Sequence, residues 1–482
     1  MLMARPKQHH ALAVPLPAQG HINPMMRFCR SLAKQGVIVT FVNVDVVHNR
    51  LEEVKQQQEE GDGGEQPAEA GGKNMIRRAY VPVEGLDLSQ GFAVSSEDFF
   101  EAQKSIAPHL QRLLLCLDPP VTLMVSDICM TAPTQPLADS FNLPRIALYP
   151  SSQSMLLLFH YFMQGPLSSN QVLEVMMKET NATSKVFQKG LQGLPSVIQN
   201  EDLPHFRHVT DDTVYMFTFL KHELEHCFQK AHSMVVNSFY DLERSAFTTL
   251  SARVNIPIHG IGPLVEEDNA TSLWKEDAAC MLWLDQQPAL SVLFISFGSV
   301  ALLSHAQFEE IFSSLLSNAQ RFLWVVRPGL VQNSPSSTDP LHLTSKTKDK
   351  GMFVAWAPQV QVLRHPSIGG FLTHCGWNST MEAISLGVPL LCWPYLGDQF
   401  FIAKYVVEEW KIGLRFKKDD TRGLVVKDEI ERVITMLMQG EEGKVIRETS
   451  SHLKIACCKA SLPGGESHNN MHNLLISLSR ST

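Results

Sequence analysis

Short apolar runs alternate with longer amphipathic stretches along most of this chain, and the alternation starts at once. The run from His10 to Leu16 reads as a strand, and Val37–Val42 as a second one after the Gln35-Gly36 turn. Between them PAQGHINP leads into a helical pattern over Pro24–Lys34, with Asn23 as its N-cap and Pro24 at its first helical position. That is a βαβ opening. Further strands are predicted at Val121–Val125, Leu143–Tyr149, Ser233–Ser238 and Ile256–Gly262, with an apolar helix at Ser151–Met163. The second half begins again in the same way: strand Val292–Phe297, a Gly298-Ser299 turn, helix Gln307–Leu316, strand Phe322–Arg327. Apolar runs at Met352–Ala355, Gly370–Thr373 and Val388–Trp393 then alternate with helical segments. The pattern predicts an α/β protein of two similar halves, each with a parallel sheet, whose strand ends form a ligand crevice.

Two stretches break the pattern. LEEVKQQQEEGDGGEQPAEAGGK (51–73) is nearly free of large apolar groups and is read as a surface insertion that cannot bury enough to order itself. EEDNATSLWKEDAA (266–279) is polar and reads as a linker. The expected organisation is a first domain over 1–262, a linker over 263–280, a second domain over 281–467 and a last helix from about His468 over 468–482. Residues 329–349 are read as a polar loop.

Composition narrows the class. A chain of 482 residues with 44% apolar content is too long for one ordinary core. A formal charge of −8 and a pI near 6.2 argue against nucleic acid as a partner. No run is long and apolar enough to span a bilayer, and Pro15 and Pro17 interrupt the only apolar run near the N-terminus, so no signal peptide or membrane span is expected. The nine cysteines lack metal-ligand spacing and read as reduced thiols, which points to the cytoplasm. The sequons at Asn181 and Asn269 are then expected to be silent.

Candidate chemistry concentrates at the strand-to-helix junctions. In HCGWNSTMEA a strand ends at Thr373, Gly376 permits a tight turn, and a helix starts near Asn378; its free N–H groups suit a phosphate. Ser379 and Glu382 also fit a capping box, in which they would only satisfy helix donors. That reading leaves Trp356, His374, Trp377, Trp393, Asp398 and Gln399 without a role, whereas an indole can stack a base and an Asp-Gln pair can bond sugar hydroxyls. In the first half, His21 falls in the crevice loop just before a helix N-terminus, where the ring is kept neutral as a base. Asp127 ends a neighbouring strand and could orient it, though a loop or cap acid reads the same way.

The stretch from Trp356 to Gln399, WAPQVQVLRHPSIGGFLTHCGWNSTMEAISLGVPLLCWPYLGDQ, closely resembles the signature box of plant secondary-product UDP-glycosyltransferases. PAQGHINP and VSDICM resemble the segments that carry the family's catalytic His and its partner Asp. The resemblance implies the GT-B fold, two facing Rossmann-like domains with a UDP-sugar donor in the second and a small-molecule acceptor in the first. It implies that Trp356 stacks on uracil, that the main chain of Ala357 bonds the uracil edge with Gln359 nearby, and that Glu382 holds the ribose. His374, Asn378 and Ser379 would bind the diphosphate, Gly376 would belong to the UDP-sugar site, Ser299 would contact the nucleotide, and Trp377, Asp398 and Gln399 would hold the hexose, with Gln399 favouring glucose. His21 and Asp127 would be the catalytic pair. Ile402 stands where the family commonly has Asn. The segments around Phe92–Phe100, Ser151–Met163 and 193–206 would border the acceptor.

The function expected is inverting transfer of a hexose, glucose first, to a hydroxyl of a small lipophilic acceptor, phenolic or flavonoid-like, by a monomer, with another UDP-sugar or a non-phenolic acceptor as the alternative. Metal is not expected, because no Asp-x-Asp occurs in the chain. A nicotinamide oxidoreductase would need a Gly-rich fingerprint that neither PAQGH nor SFGSV supplies. A non-catalytic sugar-nucleotide binder would keep the box and dispense with His21.

Overall fold

A computed structural model of the chain describes residues 8–61, 75–85, 96–164, 185–187, 190–204, 210–266, 272–332, 340–347 and 349–480. In chain order its strands are β1 His10–Val14, β2 Ile38–Val44, β3 Ile76–Val81, β4 Leu123–Asp127, β5 Arg145–Tyr149, β6 Lys185–Phe187, β7 Ile198–Gln199, β8 Ser233–Val236 and β9 Ile258–Gly260. They continue as β10 Val292–Ser296, β11 Arg321–Val325, β12 Gly351–Val354, β13 Ile368–Thr373, β14 Leu390–Cys392 and β15 Gly413–Arg415. A first parallel sheet runs β3-β2-β1-β4-β5-β8-β9 and a second β12-β11-β10-β13-β14-β15, while β6 and β7 form a small antiparallel pair. Central strands such as β1, β4, β10 and β13 are buried along their whole length, as continuous apolar runs covered on both faces must be.

The strand order places the site. In the first sheet the connections leave β1 toward opposite edges, so a gap opens between the carboxyl ends of β1 and β4, which pair in register from Ala11↔Leu123 to Val14↔Ser126. In the second sheet the same reversal falls between β10 and β13, paired through Ser296↔Thr373. Asp127 ends β4, and the segments after β1, β10 and β13 carry His21, Ser299 and His374.

Several expectations are corrected. The first helix runs Gln19–Lys34, so Asn23 is not its cap and Pro24 lies inside it. Proline at that position has no N–H for the Gly20 carbonyl, and that carbonyl instead accepts from Asn378 Nδ2 at 2.7 Å. His21 therefore stands in the first helical turn rather than in a loop. A helix over Asp45–Gly61 covers the start of the stretch read as an insertion, since Leu51 and Val54 bury against the sheet; residues 62–73 lie outside the described residues. Helix Trp377–Leu386 begins at Trp377 with Gly376 as its N-cap, and Ser379 and Glu382 form no capping box, because both side chains turn to Gln359. A short helix, Pro340–Ser345, interrupts the loop over 329–349. Phe92, Asn181, Phe206 and Asn269 lie outside the described residues.

The last helix, Glu466–Arg480, lies on the first sheet: Asn470 Nδ2 donates to the Gly260 carbonyl at 2.9 Å and Ser467 Oγ to that of Gly262 at 2.5 Å. Among the described residues no helix is long and apolar enough to cross a membrane.

Candidate active site

A cavity of about 450 Å³ lies where the two sheets face each other, and its lining draws on both. On the first-sheet side, His21 Nδ1 lies 2.7 Å from Asp127 Oδ2. Asp127 is fully buried, and its other oxygen accepts from the Cys129 N–H at 2.9 Å, which fixes the carboxylate. The His21 ring keeps 27% exposure, toward the crevice. With Nδ1–H donated to Asp127, Nε2 carries the lone pair and can accept a proton. Burial works against the imidazolium, but the Asp127 carboxylate, by charge and hydrogen bond, and the charge of Asp398 outweigh it and raise the His21 pKa above its ordinary value.

The opposite wall is built on β10, β12, β13 and β14. His374 follows β13 and is packed so tightly between two glycines that a Cβ on Gly298 would meet its ring at 2.6 Å; Gly298 also has φ +70°, so glycine is required there twice over. Burial, with the nearby Arg327 charge, pushes the His374 pKa down to about 4, so the ring is neutral and can only hydrogen-bond an anion. Arg327 shapes the turn after β10, donating from Nε to the Gly298 carbonyl at 3.2 Å and from Nη2 to that of Ala301 at 2.6 Å. Ser299 lies on that turn and lines the cavity. Gly376, Trp377, Asn378 and Ser379 form the start of the Trp377–Leu386 helix, where the N–H groups lack helical partners, and all four residues line the cavity.

Trp356 and Ala357 follow β12. The Trp356 ring stacks on Trp274 with centroids 5.6 Å apart, and its carbonyl accepts from the Asp277 N–H at 3.0 Å. Gln359 donates to Ser379 Oγ at 2.9 Å and to Glu382 Oε2 at 2.8 Å. Gln399 turns its amide oxygen inward to the N–H groups of Tyr395 and Leu396, both at 2.9 Å, which directs its NH₂ elsewhere. Asp398 accepts from Ser151 Oγ, across the crevice. The Trp377 indole is 4% exposed and donates to the Asn237 carbonyl of the first half at 2.8 Å, so its ring belongs to the contact between the halves.

The fourteen residues given a site role from the sequence all line this one cavity except Asp127, which stands directly behind His21; Trp393, also singled out, lies off the cavity with its ring against Phe297 and Phe416. Sequence reasoning missed Arg27, Trp274 and Arg327, and it gave Ser151 only as the start of a segment bordering the acceptor, not as a partner of Asp398. Each acts on a site residue from a distant position in the chain, and no local pattern distinguishes them from ordinary helix, loop or strand-end residues. The rest of the lining mixes polar side chains, among them Gln19, Asn23, Arg27 and Glu276, with an apolar group on the first-half side made by Phe100, Phe159, Met216, Leu220 and Leu224.

A family model described as UDP-glucoronosyl and UDP-glucosyl transferase matches residues 215–436. The chain is 33% identical to UDP-glycosyltransferase 85A1 of Arabidopsis thaliana, over 91% of this chain and 90% of that protein. It is 32% identical to the 7-deoxyloganetin glucosyltransferase of Catharanthus roseus, over 97% of this chain and 96% of that protein. Among solved structures, UGT2 of Phytolacca americana, complexed with UDP-2fluoro-glucose and pterostilbene, superposes with a TM-score of 0.76 at 27% identity, covering 98% of this chain and 99% of that one. Fold and crevice together are those of a GT-B glycosyltransferase. Within that class, the chain belongs to the plant UDP-glycosyltransferases.

Proposed function

We propose that this enzyme transfers glucose from UDP-glucose to a hydroxyl of a neutral, lipophilic small molecule, phenolic or flavonoid-like, with inversion to a β-glycoside and without a metal. The observation that carries the reading is the His21–Asp127 pair at 2.7 Å, facing the helix N-terminus and His374 across one cavity. His21 Nε2 takes the acceptor's hydroxyl proton as the oxygen bonds to the anomeric carbon, and the bond from that carbon to the UDP oxygen breaks on the opposite face. Asp127 stabilises the imidazolium that forms. The departing diphosphate meets the first N–H groups of the Trp377–Leu386 helix and hydrogen bonding from neutral His374.

Trp356 would stack the uracil with Ala357 and Gln359 beside it, Glu382 would take the ribose, Asn378 and Ser379 the diphosphate, Ser299 the nucleotide, and Asp398 and Gln399 the hexose. Trp377 can contribute to the hexose only through its main chain, since its indole is committed to Asn237. Neutrality of the acceptor is supported by the lining: among the described residues its one cation is Arg27, which is already paired with Glu382. A lipophilic acceptor is supported by Phe100, Phe159, Met216, Leu220 and Leu224. The glucosyltransferase of 7-deoxyloganetin among the relatives agrees with a small acceptor.

The test is product formation, followed by chromatography and mass spectrometry, with UDP-glucose, UDP-galactose and UDP-glucuronate against a panel of neutral phenols and their carboxylated analogues, with and without EDTA. The expected result is glucoside formation from UDP-glucose with the neutral acceptors, unaffected by EDTA and abolished in His21→Ala. Unchanged turnover in His21→Ala removes the base from the mechanism, and preference for the carboxylated acceptors removes the acceptor assignment.

A further inference from the structure

Helix Gln19–Lys34 carries His21 in its first turn and Arg27 farther along. The Arg27 guanidinium is buried, with a side chain 5% exposed, and it spans two partners. Nη2 donates to Glu382 Oε1 at 2.8 Å and Nη1 to the Leu264 carbonyl at 3.1 Å. Glu382 is 6% exposed and sits on the donor wall; its second oxygen accepts from Gln359 Nε2 at 2.8 Å. Leu264 lies just after the first sheet ends, and its N–H is held by Asn237 Oδ1 at 2.8 Å. One guanidinium thus touches the helix of the base, the start of the connection between the halves and a carboxylate of the nucleotide wall.

A buried charge is tolerated only when paired and hydrogen-bonded, so these two residues constrain each other's position. A carboxylate offers about four acceptor positions. With one bond from Arg27 and one from Gln359, Glu382 can accept from two adjacent hydroxyls without releasing either partner. Arg27 and Glu382 both border the cavity.

We propose that Arg27 is a positioning residue for the donor: it supplies the counter-charge that fixes Glu382 toward the ribose, and it ties the helix bearing His21 to that same carboxylate, so one side chain sets both nucleotide recognition and placement of the base. The proposal rests on the reading that Glu382 receives the ribose hydroxyls of UDP-glucose.

The experiment is calorimetric titration of the full chain and its Arg27→Met and Arg27→Lys variants with UDP and with 2′-deoxy-UDP, alongside steady-state kinetics. The unsubstituted protein is expected to favour UDP over 2′-deoxy-UDP by about tenfold or more, the size of a hydrogen bond to a charged group. Arg27→Met loses most of that ratio, and kcat at saturating UDP-glucose falls by about tenfold or more as the base is displaced. Arg27→Lys, which keeps the charge without the fork, gives an intermediate ratio. Equal weakening of both nucleotides in Arg27→Met marks a purely structural clasp and overturns the proposal, as does an unchanged ratio; an unchanged kcat overturns its second half. If Arg27→Met does not fold, the ratio in Arg27→Lys decides, and a ratio equal to that of the unsubstituted protein overturns the proposal. Absence of any preference in the unsubstituted protein is a different failure: it removes the ribose from Glu382, and the proposal with it.

Discussion

Replacing Asp127 by Asn changes one atom of the buried pair and reverses what His21 can do. Asp127 Oδ1 accepts from the Cys129 N–H at 2.9 Å, and the amide oxygen of Asn can keep that bond. Its NH₂ then occupies the place of Oδ2, 2.7 Å from His21 Nδ1, and presents a donor where an acceptor stood. The ring answers by carrying its proton on Nε2, the nitrogen that must accept the acceptor's proton. The loss expected is that of a general base, about 10²–10⁴ in kcat/KM.

The pH profile separates this from simple damage. In the parent enzyme burial disfavours the imidazolium, yet Asp127 and Asp398 raise the His21 pKa above 6.5. His21 works as the neutral base, so kcat/KM climbs as pH rises through that raised value. Without the Asp127 charge the midpoint moves to lower pH, while the plateau falls. His21 also leaves a trace in stability. A raised pKa gives stabilisation that is fully present below the unfolded value of about 6.5. It is lost as pH rises through the folded value, so the His21 share of the gap between parent and variant is widest in acid. The assay is kcat/KM against pH with one alcohol acceptor, whose own ionisation lies out of range, and a thermal melt at each pH. A midpoint that stays in place, or moves up, in a folded variant refutes the assignment of Asp127.

Other substitutions probe the remaining walls. Gly298→Ala would place a methyl 2.6 Å from the His374 ring on a backbone at φ +70°; it should cost about 1–3 kcal/mol of stability and weaken UDP binding, read by denaturant titration and calorimetry. Trp356→Ala removes the proposed uracil platform and should weaken UDP about 10–100-fold, the range of one base-aromatic stack, while a change of less than about twofold would place the base elsewhere. Lys404, 2% exposed, pairs with buried Asp202 at 3.1 Å across the two halves, so Lys404→Met should destabilise by about 3 kcal/mol, the low end for a broken buried pair because Arg415 also lies 3.6 Å from Asp202. In Lys404→Met/Asp202→Asn much of that loss should return; a double variant no more stable than the single one would rule out an unpaired Asp202 as the cause.

The ease with which each part could be read follows from how local its cause is. The inner strands were legible because fully buried parallel strands must be continuous apolar runs, whereas the partly exposed edge strands β3 and β15 were not; the two crevice walls were legible because ligand-facing residues crowd the ends of β1, β4, β10 and β13. Where a local signal misled, a distant group had supplied what the signal assumed to be missing. Asn23-Pro24 has the form of a helix start, yet the helix begins at Gln19, because Asn378 satisfies the Gly20 carbonyl that Pro24 cannot reach. Ser379-x-x-Glu382 has the form of a capping box, yet Gln359 and Arg27 claim both side chains. Arg27 itself sits in an amphipathic helix pattern, where an arginine ordinarily marks the solvent face. Its burial depends on Glu382, which follows it in sequence by most of the chain. Contacts between the halves leave no periodicity in either half. The same holds for Ser151 on Asp398, Asn237 on the Trp377 indole and Lys404 on Asp202. Three of these four cross-crevice contacts, counting Arg27 on Glu382, engage the residues expected to hold the donor. In this arrangement the first half does more than present an acceptor: it sets the geometry of the wall that receives the nucleotide sugar. Substitutions confined to the first half should therefore change donor affinity.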